Sequence, residues 1–190
     1  MYKRQIVDCG VHYVDVMCQM TKSKPKYVNA IGVNLTDEIK KEMYNYGHLQ
    51  VVFENGSIGW YEAGWGPMIS ETAFFVKDVI GPKGSVSIVE PNSKGEIKSD
   101  KIDSHTKTSS LLIHNQDRDE NGKFINDDIV INTKTEPDHL ELCLLEQKHL
   151  LDVIQNDLDI DSDLDDVISS MKIVLAADKS IKSGKQVKVL

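Results

Sequence analysis

Between residues 27 and 131 one short β-like run follows another, each ended by turn residues, and the runs do not alternate with helices. That order excludes most folds. Parallel strands need a crossover of a dozen or more residues for each pair. Strands in series, with helices gathered at the chain ends, predict α+β instead: a predominantly antiparallel open sheet with helices packed on one face. The runs are 27–33, 49–53, 58–61, 72–80, 85–89, 111–114 and 129–131, with a charged connection, or a short helix, over 35–46. Asn55-Gly56 tolerates positive φ at both turn positions and predicts a tight hairpin. Gly81-Pro82-Lys83-Gly84 predicts a second turn. Helices on one face leave the other to be polar or covered by a partner, and an isologous dimer through that face is a natural solution.

Three helices flank this middle. In the first, over 10–20, Val11, Val14 and Cys18 share a face, with Asp8 as the expected N-cap and Lys24-Pro25 closing the segment. A second starts near Pro137, with Leu140, Cys143, Leu144, Leu151 and Ile154 on one side. The third starts at Ser162, where Ser162-Asp163-Leu164-Asp165 fits a capping box. Leu164, Val167, Ile168, Met171 and Leu175 are its expected buried stripe, and Gly184 its expected left-handed end.

A chain of 190 residues supports one domain, 1–190, burying roughly 70% of its unfolded surface without a staple. The balance of 22 Lys+Arg against 30 Asp+Glu gives −8, which argues against nucleic acid or an anionic membrane as partner. No apolar run approaches the roughly 18 residues of a membrane span, and no apolar signal segment follows Met1. Cys9, Cys18 and Cys143 form no C-x-x-C pair. Their apolar neighbourhoods suggest buried, inert thiols. A reducing, cytoplasmic compartment is the expectation.

Asp8 and His12 carry the main chemical signal. They stand four residues apart, one helical turn. A carboxylate beside an imidazole can orient the ring and favour its charged form, which suits general acid–base work. A helix cap next to a solvated or core histidine would show the same spacing.

Asp8-Cys9-Gly10-Val11-His12-Tyr13-Val14-Asp15 resembles the D-x-G-x-H-x-x-D signature of the Gfo/Idh/MocA oxidoreductases, NAD(P)-dependent enzymes of sugars, inositols and related polyols. The likeness continues in family order through Glu62-Ala63-Gly64-Trp65-Gly66-Pro67, Ile80-Gly81-Pro82-Lys83-Gly84-Ser85, Glu146-Gln147 and Leu175-Ala176-Ala177-Asp178-Lys179-Ser180, with Gly184-Lys185-Gln186-Val187 last. It covers the family's C-terminal domain alone, whose fold is glyceraldehyde-phosphate-dehydrogenase-like. The family's first half is a dinucleotide-binding domain, and no G-x-G-x-x-G opens a βαβ unit here. The resemblance therefore implies a substrate-binding and oligomerisation domain. His12 would be general acid–base and Asp8 the partner of the histidine or of a substrate hydroxyl. NAD or NADP would be bound by a domain outside this chain, with no cofactor expected on the chain itself. The partners implied are a sugar or polyol substrate and a second copy, as homodimer or homotetramer. The family's junction lysine is not transferred: Ser23-Lys24-Pro25 follows the signature and lacks the glutamate. The alternative is a non-catalytic α+β dimerisation or ligand-binding module on the same scaffold.

Three other features read more plainly. Residues 117–128 space oxygen ligands like a calcium loop, with Gly122 sixth and Asp128 twelfth, but strand-like flanks and a short twelfth side chain favour a polar hairpin loop. The aspartates between 157 and 166 read as a solvated connection. Trp60, Tyr61 and Trp65 are core or interface anchors in preference to a sugar platform. His105 and His114 are assigned no role.

Overall fold

The structure, a computed structural model, describes residues 4–66, 77–89 and 108–189. It divides into two compact units, 1–69 with 158–190 and 70–157. Among the described residues the strands are antiparallel and fall into two four-stranded sheets, one in each unit. The α+β expectation holds, with the strands shared between two sheets.

The first unit opens with α1 (Gln5–Asp8) and α2 (Gly10–Thr21). Cys9 between them is right-handed helical, at φ −113° and ψ −31°, and its N–H donates to Gln5 O at 3.1 Å. The helical path therefore begins five residues before the expected start, and Asp8 lies inside it instead of capping it. Ile6 and Val7, one turn before Gly10 and Val11, extend the apolar face in that direction. Lys22 ends α2 in the left-handed region, at φ 46°.

Strands β1 (Pro25–Val33), β2 (Tyr46–Phe53) and β3 (Ile58–Gly64) follow, and β8 (Val187–Lys188) pairs onto β1. The 34–45 connection is not helical. It is held by Asn45, which is fully buried and accepts from Leu35 N–H at 2.8 Å. In the β2–β3 hairpin only Gly56 is left-handed, at φ 86°. Phe53 O accepts from Gly56 N–H and Phe53 N–H donates to Ser57 O. The loop is thus longer than the two-residue turn for which Asn55 would also need positive φ.

Strand alternation sorts this sheet. Val28, Ala30, Leu49, Val51, Phe53 and Tyr61 face a core completed by Val14 of α2 and by Ile173, Val174 and Ala177 of α4 (Asp161–Ser183). The opposite face exposes Ile31, Ile58 and Trp60. Helices therefore cover one face of this sheet, as expected. The stripe expected to bury α4 does not: Leu164, Val167, Ile168, Met171 and Leu175 are exposed. Ser170, Ile173, Val174, Ala177 and Ser180 are buried in their place: Ile173, Val174 and Ala177 join the core under the sheet, and Ser170 donates to Asp15 Oδ1 of α2 at 2.9 Å. The capping box at Ser162 is also absent. α4 begins at Asp161, whose N–H donates to Asp159 Oδ1 at 2.9 Å, and this turn starts the helix early. Gly184 ends it at φ 63°, as expected.

The second unit holds β4 (Asp78–Gly81), β5 (Gly84–Ile88), β6 (Ser110–Asn115), β7 (Ile129–Asn132) and α3 (His139–Asn156). The strand expected over 72–80 lies partly outside the described residues. Residues 117–128 form the β6–β7 hairpin loop, with Gly122 at φ 80° and Asp119 Oδ1 accepting from the N–H groups of Asn121 and Lys123. α3 starts two residues after Pro137, on a capping box between Asp138 and Glu141. None of its residues is buried, so the expected stripe on Leu140, Leu144, Leu151 and Ile154 stays uncovered. Periodicity identifies a face that can be buried; it does not supply the surface that buries it.

Candidate functional site

Asp8 and His12 lie on the α1–α2 path, one turn apart and both exposed. Because the helical hydrogen bonding runs through Cys9, the one-turn geometry survives the loss of the N-cap role. Asp8 Oδ2 accepts from the backbone N–H of Arg4 at 3.1 Å. Gly10, between Asp8 and His12, is buried, and a Cβ there would meet the Tyr61 ring at 3.1 Å. The glycine thus brings the helix close to β3 and leaves the Asp8–His12 side outward.

The inner side of the same helix is aromatic. Tyr13 stacks on Tyr61 with ring centroids 4.9 Å apart. Burial, reinforced by the Cys9 thiol, raises the pKa of both phenols, so they stay neutral beside the exposed pair. Cys9 itself is half-buried, as are Cys18 and Cys143, so the expected burial of the thiols is partial. Burial pushes the Cys18 thiol up, which keeps it unreactive.

A polar cluster fixes the start of α1. Asp178 of α4 is 6% exposed. Its Oδ2 meets Arg4 Nη1 at 3.3 Å and Lys182 Nζ at 2.6 Å, and Tyr44 OH donates to Oδ1 at 3.5 Å. Burial first, then the Asp178 charge, raises the Tyr44 phenol well above its ordinary value. Gln5 N–H donates to Tyr44 O at 3.2 Å. No local spacing could have signalled this cluster, since Arg4 and Asp178 stand 174 residues apart.

The three aromatics of the 60–65 segment separate by strand alternation. Tyr61 is core. Trp60 is 53% exposed on the open face and stacks on His48 at 4.9 Å. Trp65 is half-buried and exchanges backbone and side-chain hydrogen bonds with Asn45. His114, assigned nothing from sequence, meets Asp128 through Nδ1 at 2.7 Å. The β6–β7 register makes that pair, and no helical spacing announces it. His105 lies outside the described residues.

Residues 5–189 match the family described as "Oxidoreductase family, C-terminal alpha/beta domain". No curated protein matches. Among solved structures, the chain is similar to an oxidoreductase from Agrobacterium radiobacter in complex with NAD+, L-tartaric acid and magnesium. The identity is 15% and the TM-score 0.67, over 97% of this chain and 48% of that one. It is similar to the WlbA dehydrogenase from Bordetella pertussis in complex with NADH and UDP-GlcNAcA, at 16% identity and TM-score 0.60, over 100% of this chain and 46% of that one. It also resembles the aldose-aldose oxidoreductase from Caulobacter crescentus complexed with glycerol, at 17% identity and TM-score 0.62, over 96% of this chain and 47% of that one. The chain spans about half the length of each of these proteins. With its family match running from Gln5 to Val189, the chain belongs to the Gfo/Idh/MocA oxidoreductase family, as that family's C-terminal domain.

Proposed function

We propose that residues 1–190 act as the substrate-binding and oligomerisation domain of an NAD(P)-dependent oxidoreductase working on a sugar, an inositol or a related polyol. The observation that carries this reading is the exposed Asp8–His12 pair, one helical turn apart on a helix anchored to the sheet. His12 takes the proton of a substrate hydroxyl, or returns it in the reverse direction. Asp8 holds that hydroxyl or orients the ring. A nicotinamide cofactor supplies the hydride acceptor in such an enzyme. The described strand pairs within the sheets are antiparallel, and among the described residues no parallel βαβ crossover offers a helix N-terminus to a pyrophosphate. That supports assigning the dinucleotide to another domain, and calorimetry with NAD on this chain is expected to show no micromolar binding.

Titration with myo-inositol, followed through the His12 ring resonances, tests the site directly. A saturable shift in about the millimolar range is expected, and its loss in Asp8→Ala. In the enzyme completed by a dinucleotide-binding domain, His12→Ala should lower kcat by about 10²–10⁴-fold with NAD(P) binding intact. Full turnover in that variant would establish the competing reading, a non-catalytic module on the family scaffold.

A further inference from the structure

We propose that Arg4 is a positioning residue for the Asp8–His12 pair, and that Asp178 holds it in that role. The inference rests on the reading of Asp8 and His12 given above. Arg4 is the N-cap of α1, with non-helical backbone at φ −134° and ψ 85°. Its Nη1 lies 3.3 Å from Asp178 Oδ2, and its main-chain N–H donates to Asp8 Oδ2 at 3.1 Å.

The geometry makes Arg4 the fixed point. Asp178 is almost fully buried, and a buried carboxylate needs compensating partners. Lys182 supplies charge, but it sits one turn along the same helix and is 57% exposed, so it ties α4 to nothing else. Among the described residues, Arg4 is the cation that links α4 to the start of α1. The bridge between Arg4 and Tyr44, with Gln5 N–H donating to Tyr44 O, secures the same residue from the sheet side. Held at both points, Arg4 aims its N–H at one Asp8 oxygen and fixes the carboxylate's direction beside His12. Asp178 thus acts at a distance: it orients Asp8 through the Arg4 main chain.

The test uses the full chain, isotopically labelled, with no ligand. Two quantities are followed by NMR: hydrogen exchange at the Arg4 amide and the His12 ring resonances. In Asp178→Asn and in Arg4→Met the amide should exchange about tenfold faster, and the His12 resonances should move, with circular dichroism unchanged. Arg4→Lys should restore both towards wild type, which a general loosening of the fold would not do. Lys182→Met should leave the Arg4 amide as it is. If Asp178→Asn fails to fold, Arg4→Met, at a partly exposed site, decides alone. Wild-type exchange in Arg4→Met, or faster exchange with unmoved His12 resonances, overturns the proposal. Because no polyol is present, failure of the inositol titration would count against the functional reading only.

Discussion

Ser180 is fully buried and uses both roles of its hydroxyl. Oγ accepts from Ala30 N–H at 3.0 Å and donates to Lys185 O at 2.7 Å. β8 is only two residues long and pairs with Tyr27 and Val28, so Ala30 has no strand partner on that side and the serine replaces one. Ser180→Ala leaves the buried Ala30 N–H without this acceptor and should cost about 1–3 kcal/mol in a urea denaturation. A loss under about 0.5 kcal/mol would mean that water replaces the hydroxyl. Tyr44 and Tyr61 set the alkaline limit. Their ordinary value is 10.0 and both are raised in the fold, chiefly by burial. Below about pH 10 both states carry neutral phenols and the folded state keeps its full stability. Above it the unfolded chain loses those protons first, so stability falls as pH rises. Denaturation between pH 9 and 11 should show this slope, and Tyr44→Phe should flatten it. Asp8 and His12 could be named from spacing and resemblance because both lie within one turn of sequence. Arg4, Tyr44 and Asp178 could not, because they meet only through the docking of α4 on α1.

Among the elements, the β4–β5 hairpin depends on Gly84. Its φ is 145°, and a Cβ would collide with the backbone carbonyl of His114 on β6. Neither the left-handed backbone nor the carbonyl can yield without opening the β5–β6 ladder. Gly84→Ala should therefore destabilise the second unit by at least about 2 kcal/mol. Hydrogen exchange would detect it as lost protection across Gly84–Ile88, and retained protection would contradict the collision. The turn could be read from Gly81-Pro82-Lys83-Gly84, but the collision could not, since it involves a strand 30 residues onward. Helix starts were the least legible feature. Asp8 and Ser162 both resemble caps by composition. Yet α1 begins at Gln5 because Arg4 bridges Tyr44, and α4 begins at Asp161 because Asp159 closes a turn. A side chain suited to capping is one of several competitors for the same N–H groups.

At the scale of the whole molecule, the open face of the first sheet bears on assembly. Ile31, Ile58 and Trp60 are 53%, 70% and 53% exposed on it, while the other face carries the core. Burying such a face against a second copy would remove the apolar surface from water without altering the fold. Sedimentation should show a concentration-dependent dimer or higher oligomer, and Trp60→Asp should shift it to monomer while the His12 site is preserved. A concentration-independent monomer in the wild-type chain would remove oligomerisation from the proposed function.

By itself, the sequence determined the class of fold, the strand order along the chain and the Asp8–His12 spacing. Each depends on neighbours within a few residues, where periodicity and turn chemistry act. The tertiary structure decided which stripe of α4 is buried. Leu164, Val167 and Leu175 are exposed, while Ile173, Val174 and Ala177 meet the sheet core and Ser170 pairs with Asp15 of α2. It also decided that Arg4 pairs with Asp178, 174 residues away. A local pattern shows which contacts a residue can make. The choice among them falls to whichever distant group arrives with the better geometry and the greater need to be paired.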